Sequence, residues 1–410
     1  MEFCAAAGLR FADWGAVIPF IRAATTPFLT RRALFHVKHC PPEADCRRST
    51  IQTSRNAKAL SLGLLSLSLV LLLSACTGIT SPKGWASPIL SDNTLLVSPN
   101  HKSLVDVDLQ ANTRLWTFPP SKSNISLTAI YGTPALAQNL VFLGGYNGTL
   151  YALNQSDGSE NWSQATKGHI VSAPVVSGST VYVGSSDRCL YAFAAGSGDQ
   201  VFTPFCTGNK IWSTPAINGG LVYFGSMDKK VYAIDAASGG SRWQFKADGA
   251  VASAPVVDSG TVYVGGLDEL MYALDASNGN ERWHYKADDW IWNRALVSGG
   301  TVYFGSLSGT VYGVNASTGE LAWPKPFQGK GVVRGGPVVV GTTLVVATDQ
   351  GNVYGLNASS GAQVWSSKAS AGVLSDLVVN GDMVYYSTKS GDVQKVDPAN
   401  GAISDVTLPE

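Results

Sequence analysis

Charge is what this chain has least of. Charged side chains make up 14% of its 410 residues, and 29 Lys and Arg balance 29 Asp and Glu. A basic stripe for nucleic acid is excluded on that composition, and a neutral chain exerts no general pull on polyanions. Histidine is scarce too. His36, His39, His101, His169 and His284 are scattered, so no metal site is expected from them. The six cysteines form no C-x-x-C, no C-x-x-C-H and no adjacent pair, which removes zinc ribbons, c-type haem attachment and thioredoxin-like chemistry. Phosphate loops and Ser-His-Asp sets are not evident.

Glycine is abundant, at 44 residues, and aromatics reach 10%. That composition suits short strands joined by tight turns. From Trp85 onward one unit recurs, with its full form in S-A-P-V-V-D-S-G-T-V-Y-V-G-G-L-D-E-L-M-Y-A-L-D-A-S-N-G-N-E-R-W, residues 253–283. Aligned on the third apolar run, the units are anchored at Val105, Tyr151, Tyr191, Tyr232, Tyr272, Tyr312, Tyr354 and Gln394. Eleven residues after these stand Trp116, Trp162, Phe202, Trp243, Trp283, Trp323, Trp365 and Asp405. Each unit reads as four strands, the second alternating β-branched and aromatic residues as in T-V-Y-V-G. Asn147-Gly148 and Ser308-Gly309 punctuate strands two and three, and Asp157-Gly158 and Asn278-Gly279 punctuate strands three and four. Four strands every forty or so residues define a propeller blade. The expected fold is all-β: an eight-bladed β-propeller of four-stranded antiparallel blades over residues 85–408. The seven aromatic rings are expected to fill the gaps between blades, with each indole N–H donated to a neighbouring carbonyl. The eighth unit is weak, and its fourth strand comes either from Ile403–Leu408 or from a strand near Trp85.

Ahead of the repeats, residues 59–75 read ALSLGLLSLSLVLLLSA after Arg47, Arg48, Arg55 and Lys58. A charged run followed by an apolar run is the pattern of an export signal. It ends in Leu73-Ser74-Ala75-Cys76, which matches the bacterial lipobox, so Cys76 is the expected site of lipidation. Residues 51–76 are read as a lipoprotein signal peptide and 77–84 as a short linker. Residues 1–50 carry Trp14, Pro41, Pro42 and Glu43 and do not suit a signal peptide. They are read as a non-native extension, with translation starting at a later codon such as that of Val37 or Ile51. Acyl chains on Cys76 would hold the protein on a membrane surface, outside the cytoplasm, on the cell membrane or an outer membrane.

Ala273-Leu274-Asp275-Ala276-Ser277-Asn278-Gly279-Asn280-Glu281-Arg282-Trp283 matches the tryptophan-docking signature A-x-D-x-x-x-G-x-x-x-W. The repeats thereby resemble the pyrroloquinoline quinone (PQQ)-like β-propeller family, the quinoprotein alcohol dehydrogenase-like superfamily, over nearly all of residues 85–408. The resemblance implies the fold more than any activity. A lipobox followed directly by eight repeats looks like the family's non-catalytic branch, the propeller lipoprotein of the outer-membrane β-barrel assembly machinery. That implies a membrane-anchored, non-enzymatic scaffold whose partners are other envelope proteins. The dehydrogenase branch would instead need a quinone stacked at the channel mouth beside an adjacent-Cys disulfide, with a metal ion held by carboxylate and Asn. This sequence lacks the adjacent cysteines and the inserted acidic loops, so no cofactor and no catalytic residue are assigned. A cell-surface propeller with a small-molecule or glycan ligand is the further alternative.

Two clusters carry residue-level expectations. In a propeller the first strand of each blade lies nearest the axis, which gathers Trp85, Tyr131, Val171, Trp212, Ala252, Trp292, Arg334 and Leu374 in one ring, with Arg294 and Asp376 beside it. One reading is a mouth that stacks a planar ligand, a sugar or a side chain, with Arg334 or Arg294 pairing an anion. The other is a plug, with Arg294 and Asp376 as a buried ion pair. The second cluster is Cys189 and Cys206, on neighbouring strands of one repeat. A hairpin register pairing Ala194 with Asp199 sets Cys189 opposite Pro204, which leaves Cys206 diagonal to it, slightly beyond easy disulfide reach. A bulge or looser turn would close a disulfide, which an oxidising compartment favours. Two separate buried thiols are the alternative.

Overall fold

A computed structural model describes residues 84–91 and 93–409. Eight four-stranded antiparallel sheets follow one another along the chain, each made from one continuous segment. They form an eight-bladed propeller with no helix among the described residues. We number the blades 1 to 8 in chain order. The Cys76 segment and the extension at 1–50 lie outside the described residues.

Strict alternation of direction sorts the loops. Those joining strands one to two and three to four lie on one face. Those joining strands two to three, and strand four to the next blade, lie on the other. The second face carries the entrance to the central channel and is called the mouth face here.

The blades are held together by a device visible in the repeat. In blade 5 the Asp275 carboxylate accepts the backbone N–H of Ser277, and Gly279 turns the chain at φ 76°. That turn offers two things to blade 4: the bare Cα of Gly279, and the carbonyl of Ala276. The Trp243 ring lies on the first and donates its indole N–H to the second at 2.9 Å. The same bond runs from Trp116 to Gln155, Trp162 to Ala195, Trp283 to Ala316, Trp323 to Ala358 and Trp365 to Pro398. Phe202 has no N–H, and the carbonyl it would have reached, that of Ala236, accepts the Tyr182 hydroxyl at 2.8 Å. Small residues such as Ala233, Ala273 and Gly355 stand opposite the tryptophans and make room for them.

Blades 3 and 6 depart from the pattern. Their fourth strands shrink to Phe205–Cys206 and Phe327–Gln328, so Phe202 and Trp323 stand outside the paired region. Pro204 in blade 3, and Pro324 and Pro326 in blade 6, lack the N–H a ladder needs. This corrects the expected register of blade 3. Near the turn, Phe193 pairs with Gln200, as the Ala194–Asp199 hairpin requires. Beyond Pro204 the fourth strand has gained two residues on that register, and Cys189 faces Cys206, not Pro204.

Blade 8 supplies its own fourth strand, Ile403–Asp405. With Asp405 where the ring should be, the seam to blade 1 is sealed differently. Val406 and Leu408 pack with Leu95, Val97, Val105, Val107 and Val393, and Arg114 donates to the Pro409 carbonyl at 3.1 Å.

Candidate functional site

The first strand of each blade begins at the mouth face, so residues just before it converge on the axis. Trp85, Tyr131, Trp212, Trp292, Arg294, Arg334 and Asp376 line one cavity of about 310 Å³. Val171, Ala252 and Leu374, the other three residues that the sequence places at the axis, line it too.

Their rings fall into two groups. Trp85 meets Tyr131 edge-on with centroids 4.4 Å apart, Tyr131 leans on Tyr146 at 5.1 Å, and Tyr146 stacks on His169 at 4.0 Å. Burial, and then the neighbouring Tyr146, push the Tyr131 phenol up to about 12, so it stays neutral. The second group is Trp212 of blade 4 and Trp292 of blade 6, 6.2 Å apart. Blade 5 lies between them and contributes only Ala252 to the ring, which leaves room for the two indoles to meet. Each carries a cation: Arg334 lies 5.7 Å from the Trp292 centroid and Lys210 5.7 Å from that of Trp212. The Trp212 indole is oriented by a bond to Ser186 Oγ at 3.0 Å.

Behind the rings the polar groups serve the frame. Ser172, Ser253 and Ser375 each bond the backbone twelve residues on in their own blade. Asn293 does the same work in blade 6, donating to the carbonyls of Gly305 and Val333. A second clamp joins blades: the N–H of Ser87 donates to Thr133 Oγ1, that of Ala173 to Thr214 Oγ1, and that of Gly336 to Asp376 Oδ1. Asp376 is thus the carboxylate version of a repeated threonine, and it forms no ion pair with Arg294, which is exposed. The plug reading loses its ion pair, and the cationic rim stays. The quinoprotein reading fits poorly, since Asn293 and Asp376, the residues it would need for a metal, are already engaged by the backbone. Among the described residues no three His, Cys, Asp or Glu side chains form a metal-binding group.

Tyr146, His169, Ser186, Thr133 and Thr214 were missed from the sequence. The threonines were legible, since they share the position of Asp376 in the repeat. Tyr146 and His169 come from two different loops, which the packing of blade 2 against blade 3 makes neighbours.

On the outer part of blade 3, Cys189 and Cys206 are joined as a disulfide, with a sequence separation of 17 and Cα atoms 4.0 Å apart. It sits where the fourth strand is only two residues long.

The family model described as outer membrane protein assembly factor BamB (PQQ_2) matches residues 100–213, 206–332 and 328–404. A protein of that name from Xanthomonas campestris pv. campestris is 28% identical over 91 residues, 21% of this chain and 22% of the relative, so the match spans about a fifth of the relative's length. Among solved structures, BamB from Moraxella catarrhalis superposes with a TM-score of 0.65 at 19% identity, covering 77% of this chain and 96% of that one. A europium-containing methanol dehydrogenase superposes with a TM-score of 0.58 at 14% identity, over 78% of this chain and 83% of that one. At such identities both likenesses bear on the fold alone.

Proposed function

We propose a function from one premise, that this chain belongs to the family of outer membrane protein assembly factor BamB. It acts as a non-enzymatic scaffold outside the cytoplasm, held to a membrane by lipid on Cys76, and it contacts other proteins that assemble the outer membrane. The observation that carries this reading is the family match itself, which runs through nearly the whole propeller. Supporting it, Asn293 and Asp376 near the axis bond backbone groups of the frame. Deleting the gene in its host should deplete folded outer-membrane β-barrel proteins, and the wild-type chain should restore them. An unchanged outer-membrane protein profile would overturn the reading.

A second reading concerns the mouth. Arg334 over Trp292, with Arg294 exposed beside it, favours a planar anion that stacks on indole and pairs with guanidinium. Naphthalene sulfonate is a suitable probe. It should quench tryptophan fluorescence in the native protein, and Arg334→Gln should weaken that quenching about tenfold. Equal quenching in both proteins would remove the mouth as the binding place.

A further inference from the structure

The two faces of the disc differ in charge, and in how that charge is held. The mouth face carries Lys167, Lys210, Lys229, Lys246, Lys330 and Lys368, in its loops or at the strand ends beside them. None of these six stands in an ion pair with a described carboxylate. Where their ammonium groups bond the protein, they bond uncharged oxygens: Lys229 the carbonyl of Asp248, and Lys368 the carbonyl of Gln350. Of the acids of that face, Glu269 and Asp349 pair with Lys286 and Lys389, two further lysines of the same face, and others are turned to internal work. Asp187, Asp228 and Asp268 each accept loop N–H groups and the hydroxyl of Tyr191, Tyr232 or Tyr272.

The opposite face is the reverse. Its turns are built on carboxylates such as Asp157, Asp199 and Asp397. Two of its arginines are neutralised, Arg242 by Asp235 at 2.6 Å and Arg282 by Asp275 at 2.7 Å, and Arg114 donates to the Pro409 carbonyl. Unpaired lysines therefore gather on the mouth face, and Arg114 is a cation of the opposite face without a carboxylate among the described residues.

The chain also enters the propeller on that side. Gly84 and Trp85 precede the first strand of blade 1 at the channel mouth. Between Cys76 and Gly84 lie eight residue steps, which span at most about 29 Å when extended. To bring the opposite face to a membrane, the tether would have to pass around the rim. That means crossing a blade four strands wide, about 15 Å, and descending a strand length, about 17–20 Å. The direct route, through the channel, is narrowed by the rings of Trp85, Tyr131, Trp212 and Trp292.

We infer that the mouth face lies against an anionic lipid surface, with these lysines on the headgroups and the lipid of Cys76 as tether. Each lysine near such a surface contributes about 1 kcal/mol, roughly a fivefold gain in occupancy. The inference rests on the lipidation reading, and the test separates the two. The full chain, purified from its own membranes in detergent, is reconstituted on phosphatidylcholine vesicles with and without phosphatidylglycerol. Lysines are acetylated under limiting reagent and quantified by mass spectrometry. On anionic vesicles Lys210, Lys229, Lys246 and Lys330 should react at least fivefold more slowly than in detergent. Lys325 and Lys395, away from the mouth face, should be unchanged, and 0.5 M salt should erase the difference. A protein that floats with the vesicles while all its lysines react as in detergent would overturn the inference and leave the anchor standing. A protein that floats with neither vesicle would overturn the anchor and the inference with it. Protection that appears only when membrane proteins are added would overturn it in favour of an acidic protein partner.

Discussion

Trp162 of blade 2 lies on Gly198 of blade 3, and its indole N–H reaches the Ala195 carbonyl at 2.9 Å. A Cβ on Gly198 would meet the indole ring at 2.8 Å, and the backbone there has φ 77°. The contact explains why the signature glycine sits where it does: it is a seat for the previous blade's ring as much as a turn residue.

That relationship makes two substitutions separable. Gly198→Ala should lose about 2–4 kcal/mol of stability, the sum of left-handed strain and a forced ring displacement. Gly178→Ala has a similar φ, 58°, but nothing near the added carbon, and should lose only about 1 kcal/mol. Denaturant titration of both variants measures the difference. Equal losses would show that the ring contact contributes nothing.

The pair Cys189 and Cys206 should leave no reactive thiol in the propeller. Labelling of denatured, unreduced protein should find none between residues 84 and 409, and two after reduction. Reduction should lower stability by about 3 kcal/mol for a loop of this size, and Cys206→Ser should reproduce that loss. Two reactive thiols before reduction would refute the bridge.

Asp106 should make the protein less stable as pH rises. It stands opposite Trp116, where other blades place Ala152, Ala233 or Ala273, and it is 2% exposed. Its Oδ1 has no hydrogen-bond partner. Burial, the main cause, raises its pKa from 3.8 to about 6. Below pH 3.8 the carboxyl is neutral whether folded or unfolded, so it costs nothing. Between pH 3.8 and 6 the folded state binds more protons than the unfolded one, and stability falls as pH rises. Above pH 6 the buried charge costs about 3 kcal/mol. Asp106→Asn should therefore stabilise the protein at pH 7.5 and flatten this part of the pH profile. A variant no more stable than the native protein at pH 7.5 would place the charge in water.

Cys76→Ala, or globomycin, should leave an unprocessed precursor in cells. Metabolic labelling with a fatty-acid analogue should mark the native chain and not the variant. Normal maturation of the Ala variant would end the lipoprotein reading and the scaffold's proposed tether together.

The fold was legible because the repeat writes it eight times. Strand alternation, Gly-containing turns and a ring every forty or so residues each point to the same blade, and agreement between levels is what makes a pattern trustworthy. The mouth was legible for a related reason. Trp85, Tyr131, Trp212, Trp292 and Arg334 are the positions where an otherwise regular unit stops repeating, and symmetry about an axis turns one sequence position into one ring.

By itself the sequence determined the blade count, the docking rings and the set of side chains around the axis, because these depend on periodicity and are insensitive to a residue gained or lost in a loop. Register across blade 3 was different. Pro204 cannot donate to the ladder, the fourth strand takes up two extra residues near it, and only the folded hairpin shows Cys206 facing Cys189. The partners of Asp376 and Asn293 were likewise decided by tertiary structure, since the backbone groups they satisfy are presented only once neighbouring strands are in place. The contrast between the faces belongs there too. Lysines and carboxylates are interspersed along the chain, and antiparallel alternation is what carries the unpaired lysines to the mouth and the paired arginines to the other side.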